Sequence, residues 1–347
     1  MALIGAILGL LLIALILKQS EFPNYPVSDH CDGYQFFNTP ATPIDPKEIL
    51  KWSMNRQKVA WPEWIQFPKQ GLPKPPLKSE ELRVTFINHA SVLLQWSDFC
   101  LITDPIFSDR ASMVSFLGPK RVHEPGLSLS ELPKIDAILL SHNHYDHLDI
   151  PSIKAIMAKN EAQIITGLGV QSYLKGISKD QVHALDWGQH IQLSGHYIHF
   201  TPAVHFSRRG LWDGNRSLWG SFVIEHDQHR VFFAGDTGFG AHFEQIAKQF
   251  APLDLSLLPI GAYMPRSVMG PIHMSPNEAV QAHQLLQSKY SMGIHWGTFQ
   301  LTDEGRLDPI LELQHACLEE GVSSDTFFHL EPSESRLLSF NRASIGP

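Results

Sequence analysis

The stretch Ser141-His-Asn-His-Tyr-Asp-His147, directly after the apolar run Ile135–Leu140, constrains this chain more than any other feature. His142, His144, Asp146 and His147 crowd into one short segment. On extended backbone His142 and His144 point the same way. Asp146 and His147 then turn toward a second position a few ångströms off. Neutral imidazole and carboxylate are donors that zinc accepts, and a catalytic ion takes about three protein ligands plus solvent. A strand end is also where an α/β sheet commonly places its chemistry. A surface polar turn accounts for this spacing poorly.

Further candidates stand at other strand ends. His205 closes Thr201-Pro-Ala-Val-His205, Asp236 follows Val231-Phe-Phe-Ala-Gly235, and His295 closes Ser291-Met-Gly-Ile-His295. A lone histidine after a strand is ordinarily structural. Together with the first cluster, these residues read as the remaining ligands of a metal site. Cys31, Cys100 and Cys317 are the chain's 3 cysteines, and they form neither CxxC pairs nor an even-numbered framework. That argues against a zinc ribbon and against disulfide stapling. The net charge of −8 and the lack of a basic run speak against nucleic acid as a partner. They do not exclude an anionic substrate, because bound cations dominate the local field.

The 347 residues suffice for one large domain with an extension. Residues 1–18 read as an apolar N-terminal anchor. Met1–Leu17 lacks any charged side chain and would span about 25 Å as a helix, at the short limit for a bilayer. A signal peptide or an interfacial helix is the alternative, but no basic residue precedes the run and LILKQS makes a poor cleavage site. Lys18, Lys47, Lys51, Arg56 and Lys58 follow it, which favours a cytoplasmic catalytic domain. Residues 19–80 are rich in proline and aromatics and read as an arm packed on the domain, with neither long helices nor central strands.

Residues 81–347 form the expected catalytic domain. Leu82–Trp96, Cys100–Asp104, Ile135–Leu140, Gln163–Thr166, Arg230–Ala234, Leu255–Ile260, Ser291–His295, Thr326–Leu330 and Arg336–Phe340 are predicted strands, and His190–Pro202 a hairpin around Ser194-Gly195. Pro151–Lys159, Gly240–Phe250, Pro276–Gln287 and Pro309–Glu320 are predicted helices. Strands with helices between them give an α/β class, and the hairpins make its sheets mixed.

HxHxDH followed by single His, Asp and His resembles the signature of the metallo-β-lactamase superfamily. Thr103-Asp104-Pro-Ile-Phe-Ser-Asp-Arg-Ala-Ser112, Gly118-Pro-Lys-Arg121, Phe232-Phe-Ala-Gly-Asp-Thr-Gly238, Gly261-Ala-Tyr-Met-Pro-Arg266 and Ile294-His-Trp-Gly-Thr-Phe299 further resemble the N-acylphosphatidylethanolamine-hydrolysing phospholipase D family, from Leu82 to Leu338. The resemblance implies an αββα sandwich, two mixed sheets flanked by helices, holding two zinc ions. It implies that His142, His144 and His205 bind one ion, Asp146, His147 and His295 the other, and that Asp236 bridges them. Catalytic roles fall on Asp146 and on His273, which resembles a histidine facing the substrate phosphate; helix capping beside Ser275 is its plainer reading. Asp104 and His89 are candidates to support the ligands from behind. Asp149 reads as a helix cap. The implied activity is hydrolysis of a membrane phospholipid, N-acylphosphatidylethanolamine, to phosphatidic acid and an N-acylethanolamine, by a homodimer. Another hydrolase of the same fold, acting on a lactone, a sugar phosphate or a cyclic nucleotide, is the alternative.

Overall fold

Strand β4, Ala137–Leu140, shows why so much of the sequence reads as unbroken apolar runs. Ala137 and Leu139 face the main core, while Ile138 and Leu140 join a second cluster with Ile153 and Ile156 of the helix Ile150–Met157. Side chains alternate across a strand, so a strand covered on both faces needs apolar residues at every position. β2 (Ser91–Gln95) and β5 (Gln163–Gly167) divide in the same way, Leu94 and Ile165 to one side, Leu93 and Ile164 to the other. Each fully buried aliphatic side chain contributes about 1.5–3 kcal/mol relative to exposure.

The computed structural model describes residues 22–40, 45–71, 77–78 and 80–340. One sheet runs β14-β1-β2-β3-β4-β5-β6, adding β1 (Glu81–Asn88), β3 (Cys100–Thr103), β6 (Val182–Leu185) and β14 (Ser335–Ser339). The other runs β13-β12-β11-β10-β9-β8-β7: β13 (Phe327–Phe328), β12 (Tyr290–Ile294), β11 (Leu255–Pro259), β10 (His229–Phe233), β9 (Ser221–His226), β8 (His196–Thr201) and β7 (His190–Leu193). Both are mixed. β3 to β6 run parallel beside antiparallel β14, β1 and β2, and β10 to β13 run parallel beside antiparallel β7 to β9. The main core lies between the sheets. The helices His242–Phe250, Pro276–Leu285 and Asp308–Glu319 cover the second sheet with Phe243, Val280 and Leu313. This is the expected sandwich of two mixed sheets flanked by helices.

Two strands escape sequence reading. β6 is short and half-buried, and β9 returns through His226–His229, whose tight turn lacks the Asn-Gly or Asp-Gly that announces a hairpin. The proline-rich extension carries a short helix, Pro46–Met54. Its Pro46 sits at the first turn, where a missing N–H costs nothing, and Asp45 accepts from Lys47 N.

The expectation of a membrane anchor with a cytoplasmic catalytic domain is not upheld. Among the described residues no helix is long and apolar enough to cross a membrane. Residues 1–18, on which that expectation rested, lie outside the described residues.

Residues 22–40 pack on the domain. Tyr25, Cys31 and Phe36 enter the main core. His30 lies between two carboxylates, Nδ1 at 2.7 Å from Asp29 and Nε2 at 2.8 Å from Asp186, and stacks on Trp187. Burial alone would lower the His30 pKa, but Asp186 and Asp29 outweigh it and raise it above 6.5. A raised folded-state value gives stability that is complete below the unfolded value and lost as pH rises through the folded one. The arm is therefore expected to release more readily at pH 9 than at pH 6. Limited proteolysis scored against an unstructured peptide at each pH reads this, and His30→Gln should remove the pH dependence. Equal release at both pH values in the unaltered protein would contradict it.

Candidate metal centre

The candidate ligands follow the C-terminal ends of four strands, β4 in one sheet and β8, β10 and β12 in the other. β4 delivers His142, His144, Asp146 and His147; the segments after β8, β10 and β12 deliver His205, Asp236 and His295. Gly220 N donates to Ser141 O at 3.0 Å and ties the two sheets together there. Gly235 precedes Asp236 with φ 60°, and a Cβ on it would lie 2.5 Å from Ser141 Cβ. Glycine is required on both counts. His89 (φ 47°), Asp104 (φ 32°) and His295 (φ 63°) also occupy the left-handed region. That conformation costs about 1–3 kcal/mol for such residues and clusters at functional sites.

The ligand atoms fall into two groups. His142 Nε2 lies 2.8 Å from His144 Nδ1, and His205 Nε2 lies 3.2 Å from the same atom. Around the second position, His147 Nε2 and His295 Nε2 are each 3.1 Å from Asp236 Oδ2 and 3.4 Å from Asp146 Oδ2. Asp236 Oδ2 stands between the groups, 3.9 Å from His205 Nε2. The expected site residues are thus brought together.

Support comes from behind. Asp104 Oδ2 lies 2.6 Å from His147 Nδ1 and accepts from Ser141 Oγ at 2.5 Å, while Ser141 Oγ meets His142 Nδ1 at 2.9 Å. One buried carboxylate thereby places the N–H of both rings on Nδ1 and turns both Nε2 lone pairs into the site. His205 Nδ1 is fixed in the same sense by Ile272 O at 3.0 Å. His89 Nε2 approaches Asp146 Oδ2 at 3.0 Å, and its carbonyl accepts from His295 N at 2.7 Å. His273 Nδ1 is 3.9 Å from Asp236 Oδ2. Ser275 caps the helix Pro276–Leu285 by a reciprocal box with Glu278. Arg266 reaches both, donating to His273 O at 2.8 Å and to Glu278 Oε2 at 2.7 Å. Asp149 departs from expectation. It precedes the helix Ile150–Met157 without a side-chain cap bond and instead accepts from Phe107 N, Ser108 N and Ser108 Oγ.

The donor set suits a cation. Among the described residues, the buried His147 Nε2, His295 Nε2, His273 Nδ1 and Asp236 Oδ1 make no hydrogen bond. Buried polar atoms are normally satisfied, so a set of them converging on one volume points to an ion. The charge balance agrees. Burial would lower the His295 pKa, yet Asp236 and Asp146 raise it to about 9. Burial would likewise raise Asp236, but His147 and His295 hold it well below the usual range. These carboxylates demand positive charge from their surroundings.

Residues 100–296 match the model of the β-lactamase superfamily domain. The chain is 39% identical over 259 residues to N-acyl-phosphatidylethanolamine-hydrolyzing phospholipase D 1 of Caenorhabditis elegans, covering 71% of this chain and 73% of that one. The chain belongs to the β-lactamase superfamily and, within it, to the family of these phospholipases. It is also 35% identical over 297 residues to an uncharacterized protein of Mycobacterium tuberculosis, covering 81% of this chain and 78% of that one. A metallo hydrolase from Ignicoccus hospitalis shares the fold at TM-score 0.56 and 22% identity, over 75% of this chain and 100% of that one. The chain is a metallo-hydrolase of the β-lactamase fold.

Several residues that shape the site carried no signal in the sequence. Phe206 packs against His144 with ring centroids 4.5 Å apart, and Trp52, from the extension, joins it beside Val268, Met269 and Ile272. Arg209 donates to the carbonyls of Asn143, His144 and Leu148, fixing the ligand loop. Ser141 lay inside the motif and could have been found from its place beside His142.

Proposed function

We propose that this protein is a dinuclear zinc phosphodiesterase of phospholipase D type that hydrolyses N-acylphosphatidylethanolamine to N-acylethanolamine and phosphatidic acid. The observation that carries the reading is the meeting of two environments. A convergent set of imidazoles and carboxylates is flanked by Phe206, which packs on His144 and His205 and belongs to an apolar cluster with Val268, Met269, Ile272 and Trp52. A phospholipid needs both, a cationic centre for the phosphodiester and an apolar surface for the chains. Exposed Leu211, Trp212 and Met264 extend the apolar character on the segments that carry the wall. The sequence relationship to the worm phospholipase supports the same substrate.

In this reading His142, His144 and His205 would hold one ion, Asp146, His147 and His295 the other, with Asp236 shared between them. Zinc bound there would supply an activated water near neutral pH and offset charge on the phosphoryl oxygens. The chain does the rest. Asp104 and Ser141 keep His142 and His147 in the tautomer that offers Nε2. Burial would raise the Asp146 pKa, but His147 first, then His295 and His89, hold it well below the usual range and keep the carboxylate ionised. Burial, joined by the neighbouring His205 and His295, holds His273 well below its ordinary pKa against the opposing pull of Asp236. It is a neutral imidazole at pH 7, suited to donate a hydrogen bond to a phosphoryl oxygen rather than to carry a charge.

Purified zinc-loaded protein is expected to release N-acylethanolamine from N-acylphosphatidylethanolamine in detergent micelles. Failure to release it by protein holding two zinc ions would keep the site and move the substrate to a lactone, a sugar phosphate or a cyclic nucleotide.

A further inference from the structure

His205 lies where the chain has left β8 and has no sheet neighbour. Among the described residues neither its N–H nor its C=O pairs with another backbone group. Both are taken by one side chain. Asn38 Nδ2 donates to His205 O at 2.9 Å, and His205 N donates to Asn38 Oδ1 at 3.2 Å. A carboxamide carries the same donor and acceptor as a peptide group, so it can stand in for a neighbouring strand. Asn38 Oδ1 also accepts from Nε1 of buried Trp219 at 3.1 Å, and that indole donates to Ala203 O at 3.0 Å. The peptide of His205 is therefore held by Asn38, and its ring separately by Ile272 O.

The segment that carries Asn38 is anchored at several other points. The Arg216 guanidinium donates to Tyr34 O and lies over the Tyr34 ring, and Tyr25 Oη donates to Arg216 O at 3.0 Å. Phe36 N donates to Asn215 O at 2.9 Å. His30 closes on Asp186. Arg216 and Asn215 sit in the stretch that leads from His205 to β9, so the arm braces both sides of the loop that carries this ligand.

We propose that residues 22–40 complete the metal centre, with Asn38 as the positioning residue for His205. The inference rests on His205 being a metal ligand. Loss of the clamp leaves the ring its bond to Ile272 O but frees the peptide to shift, which moves Nε2 off the point shared with His142 and His144. Residues that orient a ligand in this way are worth about 10–100-fold in metal affinity.

The test measures both zinc affinities of the full-length protein by competition with a chelator, for the unaltered chain, Asn38→Ala and His205→Ala. The visible spectrum of the cobalt-loaded forms reports the geometry. Asn38→Ala is expected to weaken one ion about 10–100-fold, to alter the cobalt spectrum of that ion, and to leave the other ion and the metal-free near-ultraviolet circular dichroism unchanged. If the alanine variant does not fold, Asn38→Asp, which keeps the Oδ1 acceptor and loses the donor, is read by the same criteria. Unchanged affinities, or equal losses at both ions, overturn the proposal provided His205→Ala loses one ion selectively. If His205→Ala itself leaves both ions bound, the ligand assignment fails instead.

Discussion

Asp236→Asn is expected to lower hydrolysis by about 10³-fold or more while the metal-free protein keeps its fold. The amide matches the carboxylate in shape, so the packing around it survives. The charge does not. Asp236 Oδ2 is the atom that both groups of imidazoles face, at 3.1 Å from His147 and His295 and 3.9 Å from His205 and His273. A unit charge at about 4 Å interacts by roughly 4 kcal/mol at an effective dielectric constant of 20. Losing that term corresponds to about 10³ in rate or in affinity. A neutral amide can serve one cation weakly and cannot balance two. Metal content by elemental analysis and turnover of the phospholipid are the paired readouts. Full activity with two ions per chain would rule out the bridging role proposed for Asp236. Loss of activity together with loss of the fold in the metal-free state would give it a structural one.

How far the sequence reached depended on where the information was local. His142, His144, Asp146 and His147 are neighbours in one turn, so spacing alone exposed them. His205, Asp236 and His295 were legible because each follows an apolar run that becomes a strand, and strand ends of an α/β sheet converge. Asp104 was legible for the same reason. Sequence could not pair these ends, because the meeting of β4 with β8, β10 and β12 is set by sheet order. Asn38 is further removed still. It lies 167 positions from the residue it holds, in a segment whose prolines suggested only a surface arm. The buried histidine count misleads in the other direction. His196 is buried against Phe99 and His226 in stacked geometry and belongs to none of the groups that converge at the candidate metal centre. The left-handed conformations of His89, Asp104 and His295 likewise follow from tertiary closure. They could not be read from residue type, although His and Asp tolerate that region better than most.

Gly261→Ala is expected to cost about 3 kcal/mol and to strip the ion that His295 is proposed to hold. Gly261 follows β11, and its Cα passes so close to β12 that a Cβ would lie 2.1 Å from His295 O, 3.1 Å from His295 C and 3.2 Å from Trp296 Cα. The obstruction is backbone, which cannot swing aside as a side chain could. Nor can it retreat. His295 N donates to His89 O at 2.7 Å, Ile260 N donates to Ile294 O at 3.0 Å, and His295 already sits at φ 63°. One methyl must therefore either part β11 from β12 or rotate the His295 peptide. Overpacking of this kind costs about 1–3 kcal/mol and occasionally more, which for a domain of this size is a fall in Tm of about 6 °C or more. Rotating the peptide would also carry His295 Nε2 away from Asp146 and Asp236. Gly214→Ala is the matched control. Its added Cβ meets nothing within 4 Å and its φ is ordinary, so its effect should stay within about 0.5 kcal/mol. Thermal unfolding with and without zinc separates the two costs. A zinc-induced rise in Tm that survives in Gly261→Ala would show that β12 can shift without disturbing His295. Loss of that rise, with Gly214→Ala unaffected, would place the close approach of β11 and β12 among the determinants of metal binding.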